Sequence, residues 1–200
     1  DISNPADMKS AGSYTGIGDY VRGLALGDKE SLKSEGTEPD DVTYNTWLDA
    51  TLTSDTYLIA VGGGGNRNGF LKILSIDDPS NITQVCTINI SALTSIDQSQ
   101  TGVSGYPRSV KVMGRYAFAA VQGLGLKVLD LRILARASQT TQSYSSPEND
   151  NAVLGVYRES KAVDVDVFSF TNAATGKPQA VAVLLVLERL LARRGELAER

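Results

Sequence analysis

Apolar and polar residues alternate in short blocks along most of this chain, and turns rich in glycine, asparagine and serine separate the blocks. Tyr57-Leu58-Ile59-Ala60-Val61 is a continuous apolar run of buried-strand length. Ahead of it, Trp47 to Leu52 alternates. Trp47, Asp49 and Thr51 point one way and Leu48, Ala50 and Leu52 the other, which predicts a half-buried strand. Phe70 to Ile76 and Val85 to Ile90 predict two further strands. The order then recurs. Arg108 to Val112 alternates, Tyr116 to Val121 is the apolar run, and Leu126 to Leu131 and Val153 to Tyr157 follow as third and fourth strands. A third round opens with strict alternation over Ala162 to Val167 and an apolar run over Gln179 to Leu184. Residues 1–45 lack a steady period. Tyr20 to Leu26 could form a strand there, and Lys29 to Asp41 reads as a polar, acidic, exposed loop.

Each round describes a four-stranded antiparallel meander with one strongly apolar strand. Such a sheet has two faces and cannot bury both alone. Radial stacking of blades covers the faces and protects the edges. A β-sandwich uses the same alternation and is the competing fold. The expected fold is therefore all-β, with propeller-like four-stranded repeats, incomplete, and a short C-terminal helix. The expected organisation is an irregular acidic segment or degenerate blade over 1–45, repeats over 46–106 and 107–160, a partial repeat over 161–186 and a helical tail over 187–200. In that tail, Leu187, Leu190, Leu191 and Leu197 fall at helical spacing opposite charged residues. A helix docked on a partner, a domain junction or a cut end would each account for it.

Ser54 to Val61, Gly69 to Pro79 and Asn81-Ile82-Thr83 resemble the LVIVD-type β-propeller repeat, and Met113 to Ala120 with Gly125 to Leu131 resemble a second copy. The resemblance covers residues 46–135 well and 153–184 loosely. It departs after Asp130, where Arg132-Ile133-Leu134 replaces the expected Asp-Pro turn. It implies propeller blades in an exported or surface-located binding or scaffolding module. A fold of this kind hosts many functions, so function has to be argued from sites.

Composition narrows the chemistry. The 200 residues contain no histidine, which excludes a Ser-His-Asp triad, a Cys-His dyad and any histidine-ligated metal within the chain. The single cysteine, Cys86, excludes an intrachain disulfide and a thiolate zinc site and reads as a small buried hydrophobe. The formal net charge is −4 and the pI is near 4.9, which argues against nucleic-acid binding. The acidity belongs to residues 1–55, with 11 acids and 4 bases. No segment approaches the roughly 18 apolar residues of a membrane span. The chain starts at Asp1 without a signal peptide, as a mature protein or an excised fragment would.

The strings that could carry chemistry each have a structural alternative. Gly62 to Gly69 could form an anion-binding nest, but no helix or Lys-Ser/Thr pair completes a phosphate loop, and a flexible turn explains the glycines. Asp164 and Asp166 share one strand face. They could bind calcium or act as an acid/base pair, or simply form a solvated or channel-lining face. Asp77, Asp78 and Asp130 follow third strands and suit Asx turns. Tyr14, Tyr20, Tyr44, Tyr106 and Tyr144 fall in loops, for recognition or for loop packing. Asn81 and Asn89 head glycosylation sequons.

The expectation is a secreted or cell-surface, non-catalytic binding or structural module, without cofactor or metal. It would engage protein or glycan partners, or self-associate through open sheet edges. The alternative is a fragment of a propeller enzyme using Asp164 and Asp166, with or without calcium.

Overall fold

A computed structural model describes residues 10, 12–15, 20–63, 69–90, 106–140, 152–157, 162–171 and 178–186. The elements in chain order are β1 (Val21–Asp28), a 3-10 turn (Lys29–Leu32), α1 (Pro39–Thr51), β2 (Thr56–Gly63), β3 (Gly69–Ser75), β4 (Thr83–Asn89), β5 (Pro107–Met113), β6 (Tyr116–Val121), β7 (Gly125–Asp130), α2 (Leu131–Thr140), β8 (Val153–Tyr157), β9 (Ala162–Thr171) and β10 (Pro178–Val186). They make two four-stranded antiparallel meanders, β1-β2-β3-β4 and β5-β6-β7-β8, and a hairpin of β9 and β10. This mostly β architecture of meandering sheets is consistent with an incomplete propeller-like fold. The expected C-terminal helix over 187–200 lies outside the described residues.

The sheets stack because the middle one is apolar on both faces. Along β6, Ala117, Ala119 and Val121 join a core with Ile59, Val61, Leu71, Ile73 and Ile88 of the first sheet. Phe118 and Ala120, on the opposite face, pack against Ala162 and Val165 of β9. The period-two alternation thus points apolar residues both ways, and the strand reads as an unbroken apolar run. Tight turns close the meanders, as at Gly114, where φ is 55°.

Two helices are corrections to the sequence pattern. Trp47 to Thr51 belong to α1 and Leu52 caps it, so this stretch is not a strand. The alternation there spans only six residues, whereas Tyr44, Leu48 and Leu52, all fully buried, recur every fourth residue. Pro39 opens the helix, and Asp40 and Asp41 sit in its first turn, where carboxylates suit the positive end of the dipole. The first strand of the first sheet is instead β1, inside the segment that lacks a clear period. Lys29 to Asp41 is likewise not simply an exposed loop. Lys29 and Leu32 are buried, and the Lys29 Nζ donates to the Leu52 carbonyl at 3.1 Å beside Asp49 at 3.3 Å. The second helix, α2, occupies the place of the missing Asp-Pro turn. The Asp130 carboxylate accepts from the backbone N–H of Arg132 at 3.0 Å and of Ile133 at 3.4 Å, as an N-cap does. Leu131, Leu134 and Ala135 then turn inward together.

Candidate functional site

Among the described residues, aromatic and cationic side chains stack across two sheets where β1 and β5 begin. The two strands begin alike: Tyr20-Val21-Arg22-Gly23 and Tyr106-Pro107-Arg108-Ser109. In each, the tyrosine carbonyl accepts a backbone hydrogen bond from the far end of the next strand, Gly63 for Tyr20 and Gln122 for Tyr106, both at 3.1 Å. In each, the ladder skips one residue. The register passes from Val21↔Gly62 to Gly23↔Val61, and from Pro107↔Val121 to Ser109↔Ala120. The skipped residues are Arg22 and Arg108. A bulge of this kind re-aims the side chain it carries.

The two arginines converge on one ring. The Arg22 guanidinium carbon lies 4.6 Å from the Tyr106 ring centroid, and that of Arg108 lies 4.8 Å from it. Arg22 also sits 5.8 Å from the Tyr20 ring. Arg108 is fixed further. Its Nε donates to the Gln122 side-chain carbonyl at 2.7 Å, and a terminal nitrogen donates to the Tyr106 hydroxyl at 3.2 Å. Cation–π contact stabilises each guanidinium modestly but leaves its outward N–H groups unused. Among the described residues, neither arginine has a carboxylate partner. Arg22 is exposed, Arg108 and Tyr106 are half-buried, and Tyr20 is 70% exposed.

Glycines let the backbones close up around this cluster. A Cβ on Gly62 would stand 2.0 Å from the Tyr20 carbonyl oxygen, so only glycine fits. Gly69 ends the same turn and lies against Tyr106 and Pro107. The turn expected over Gly62 to Gly69 therefore borders the cluster. Its residues 64–68 lie outside the described residues.

The other residues singled out from the sequence are scattered. Asp164 and Asp166 are both exposed on β9, and the Lys111 Nζ of β5 lies 3.6 Å from Asp166. Among the described residues no group of three or more His, Cys, Asp or Glu side chains could hold a metal ion. Asp77 does not form an Asx turn. It reaches across to α1's exit, accepting from the Thr53 N–H at 2.6 Å and the Ser54 N–H at 2.8 Å. Burial opposes its charge, but these bonds hold its pKa below the usual carboxylate value. Asp78 accepts from the Ser80 N–H at 2.8 Å, an Asx turn. Tyr44 is not a loop residue. It is fully buried in α1 with its hydroxyl donating to the Leu32 carbonyl at 3.0 Å, and burial raises its pKa. Tyr14 is half-buried beside Lys72 and Gln84. Tyr144 lies outside the described residues. Cys86 is buried in the core. Asn81 is exposed in the turn between β3 and β4, while Asn89 ends β4 and its side chain is outside the described residues.

Both tyrosines of the cluster stand out in the sequence, and neither arginine does. The signal was present as the spacing Tyr-x-Arg ahead of two equivalent strands.

No curated protein and no solved structure matches this chain. A family model does. The LVIVD repeat model matches residues 1–16 and 104–138. The second of these segments runs from the arginine-tyrosine cluster through β5, β6 and β7 into α2. The first falls in the segment expected to be irregular. There Ile2-Ser3-Asn4-Pro5 parallels Ile76-Asp77-Asp78-Pro79. Of residues 46–135, expected to resemble the repeat well, 46–103 lie outside the match, although their sheet has the topology and bulge position of the matched one. Over these two segments the chain is similar to the LVIVD repeat, a repeat associated with β-propellers.

Proposed function

We propose that this propeller-type repeat chain is a non-catalytic binding module, secreted or displayed at the cell surface, that engages protein or glycan partners where β1 and β5 begin. The observation that carries this reading is the pair of bulged arginines, Arg22 and Arg108, stacked on Tyr106 without a carboxylate partner among the described residues. Exposed tyrosine and arginine side chains on glycine-rich, rigidly anchored strand ends are what recognition surfaces use. The test is a binding screen of the folded chain against a glycan array and a panel of purified surface proteins, with the double variant R22Q/R108Q alongside. Saturable binding that the double variant loses supports the reading. Binding to nothing on either panel contradicts it. The exported location is tested on the native protein by mass spectrometry of the Asn81 peptide, where an attached glycan is expected. Turnover lost in D164N/D166N with the fold intact would instead establish the enzyme alternative.

A second reading, association with neighbouring subunits, has its own observation. Leu24, Ala60 and Lys72 form a row across the first sheet, and Val110, Ala119 and Lys127 form the equivalent row across the second. In the second sheet, Val110 is 2% exposed, Lys127 is fully buried, and its Nζ donates to the Ile90 carbonyl of the first sheet at 3.2 Å. In the first sheet, Leu24 is 59% exposed and Leu26 is 63% exposed. The first sheet thus presents the surface that, one repeat later, is covered by another sheet. A second copy of the chain supplies that sheet in this reading.

A further inference from the structure

We infer that Arg22 and Arg108 form a specific oxyanion-binding position, one that takes a carboxylate or phosphate group of the ligand. This rests on the binding-module reading and names the group that the module recognises. Three observations converge. First, both cations are drawn to one ring, Tyr106, at 4.6 and 4.8 Å from its centroid, so one side chain gathers two positive charges from two sheets. Two cations gathered on one ring repel, and an anion bound beside them offsets that repulsion. Second, none of the described acidic groups provides that anion. Lys111 and Arg115, further along the same hairpin, have Asp166 and Asp130 within 3.6 and 3.1 Å, whereas Arg22 and Arg108 have no such counterpart among the described residues. Third, the same bulge places an arginine at the same point of two successive sheets. In the third sheet the ladder skips Val163, which has no charge to contribute. The position is therefore built between the first and second sheets.

The chemistry of the site favours an oxyanion over a neutral ligand. A guanidinium presents N–H donors in a planar fork that matches two oxygens of a carboxylate or phosphate. The Gln122 and Tyr106 bonds hold the Arg108 fork at a fixed angle, which lowers the entropy lost on binding. Exposed Arg22 completes the grip from the other sheet. The exposed ring of Tyr20 beside it offers a flat surface to the body of the ligand.

The test is a titration of the isotopically labelled chain, followed by NMR, with inorganic phosphate and separately with glucuronate. Saturable shifts of the Arg22, Gly23, Gly63, Ser109 and Gln122 amides are expected with at least one probe. The probe that gives them identifies the source as phosphate or carboxylate. R22Q weakens binding about tenfold and R22Q/R108Q abolishes it, because charged hydrogen bonds are lost. R22K retains charge without the fork and still weakens binding. Arg22 is exposed, so its substitution leaves the spectrum of the fold in place. The assignment is overturned if neither probe gives localised shifts, or if R22Q and R22K bind as the parent does. A chain that fails this test but keeps a partner on the glycan or protein panels loses only the oxyanion assignment. A chain that fails both loses the binding-module reading as well.

Discussion

Gly62 and Arg22 carry the account at the scale of single residues. A Cβ at Gly62 meets the Tyr20 carbonyl at 2.0 Å, and backbone cannot swing aside as a side chain can. Gly62→Ala is expected to destabilise the chain by about 1–3 kcal/mol in urea unfolding, as overpacking does. It also breaks the Gly63-to-Tyr20 hydrogen bond, so the Tyr20 and Arg22 amide signals should move with it. A variant with parental stability and unmoved signals would show that the strand ends are looser than described. The sequence showed the Gly62 to Gly69 string as a candidate nest or turn but not the arginines beside it. Tyr20 and Tyr106 stood out as loop residues, but their arginines gain meaning only from the pairing of β1 with β2 and of β5 with β6. Lys29 illustrates the same limit. A lysine in an acidic stretch reads as solvated, whereas it is buried because Asp49 and the Leu52 carbonyl, from the far end of α1, reach it.

At the scale of elements, the two helices brace the outer side of the first two sheets. The Arg136 guanidinium of α2 donates to Asp41 of α1 at 2.7 Å, and Arg132 donates to the Lys33 carbonyl at 3.2 Å. The Ser34 hydroxyl, then Arg136, hold the Asp41 carboxyl below its usual pKa. A depressed carboxylate stabilises the fold above its unfolded value, about 3.9, and that contribution is lost as pH falls through the lower folded value. Asp41→Asn should therefore lower the melting temperature at neutral pH and make it less sensitive to acid. Equal acid sensitivity in the variant would remove Asp41 from the account. Leu134 is fully buried between α2 and β4, and Leu134→Ala should cost about 2–5 kcal/mol in urea unfolding. A cost below that range would show that α2 packs loosely. The strands were readable because β2 and β6 are unbroken apolar runs of strand length and β9 alternates strictly. The helices were not, because α1 shows alternation over its last turns and α2 begins where a third strand ends.

At the scale of the whole molecule, repetition organises both stability and function. The middle sheet buries both faces because sheets flank it on both sides, and the same rows of residues recur from one sheet to the next. The first sheet's outer row, Leu24 and Leu26, is the one that self-association would cover. Leu24→Glu is expected to leave the fold intact and to shift sedimentation toward the monomer. A chain that sediments as a monomer before substitution would contradict the second reading. Successive sheets set their inner strands side by side, so that the starts of β1 and β5 make one surface. Gly23 tests it most directly, since a Cβ there would stand 3.1 Å from both the Ser109 Cα and the Val110 nitrogen. A nuclear Overhauser cross-peak between the Gly23 α-protons and the Val110 amide proton is predicted in the folded chain. Its absence, with both residues assigned and the sheets intact, would contradict the stacking and with it the shared arginine site.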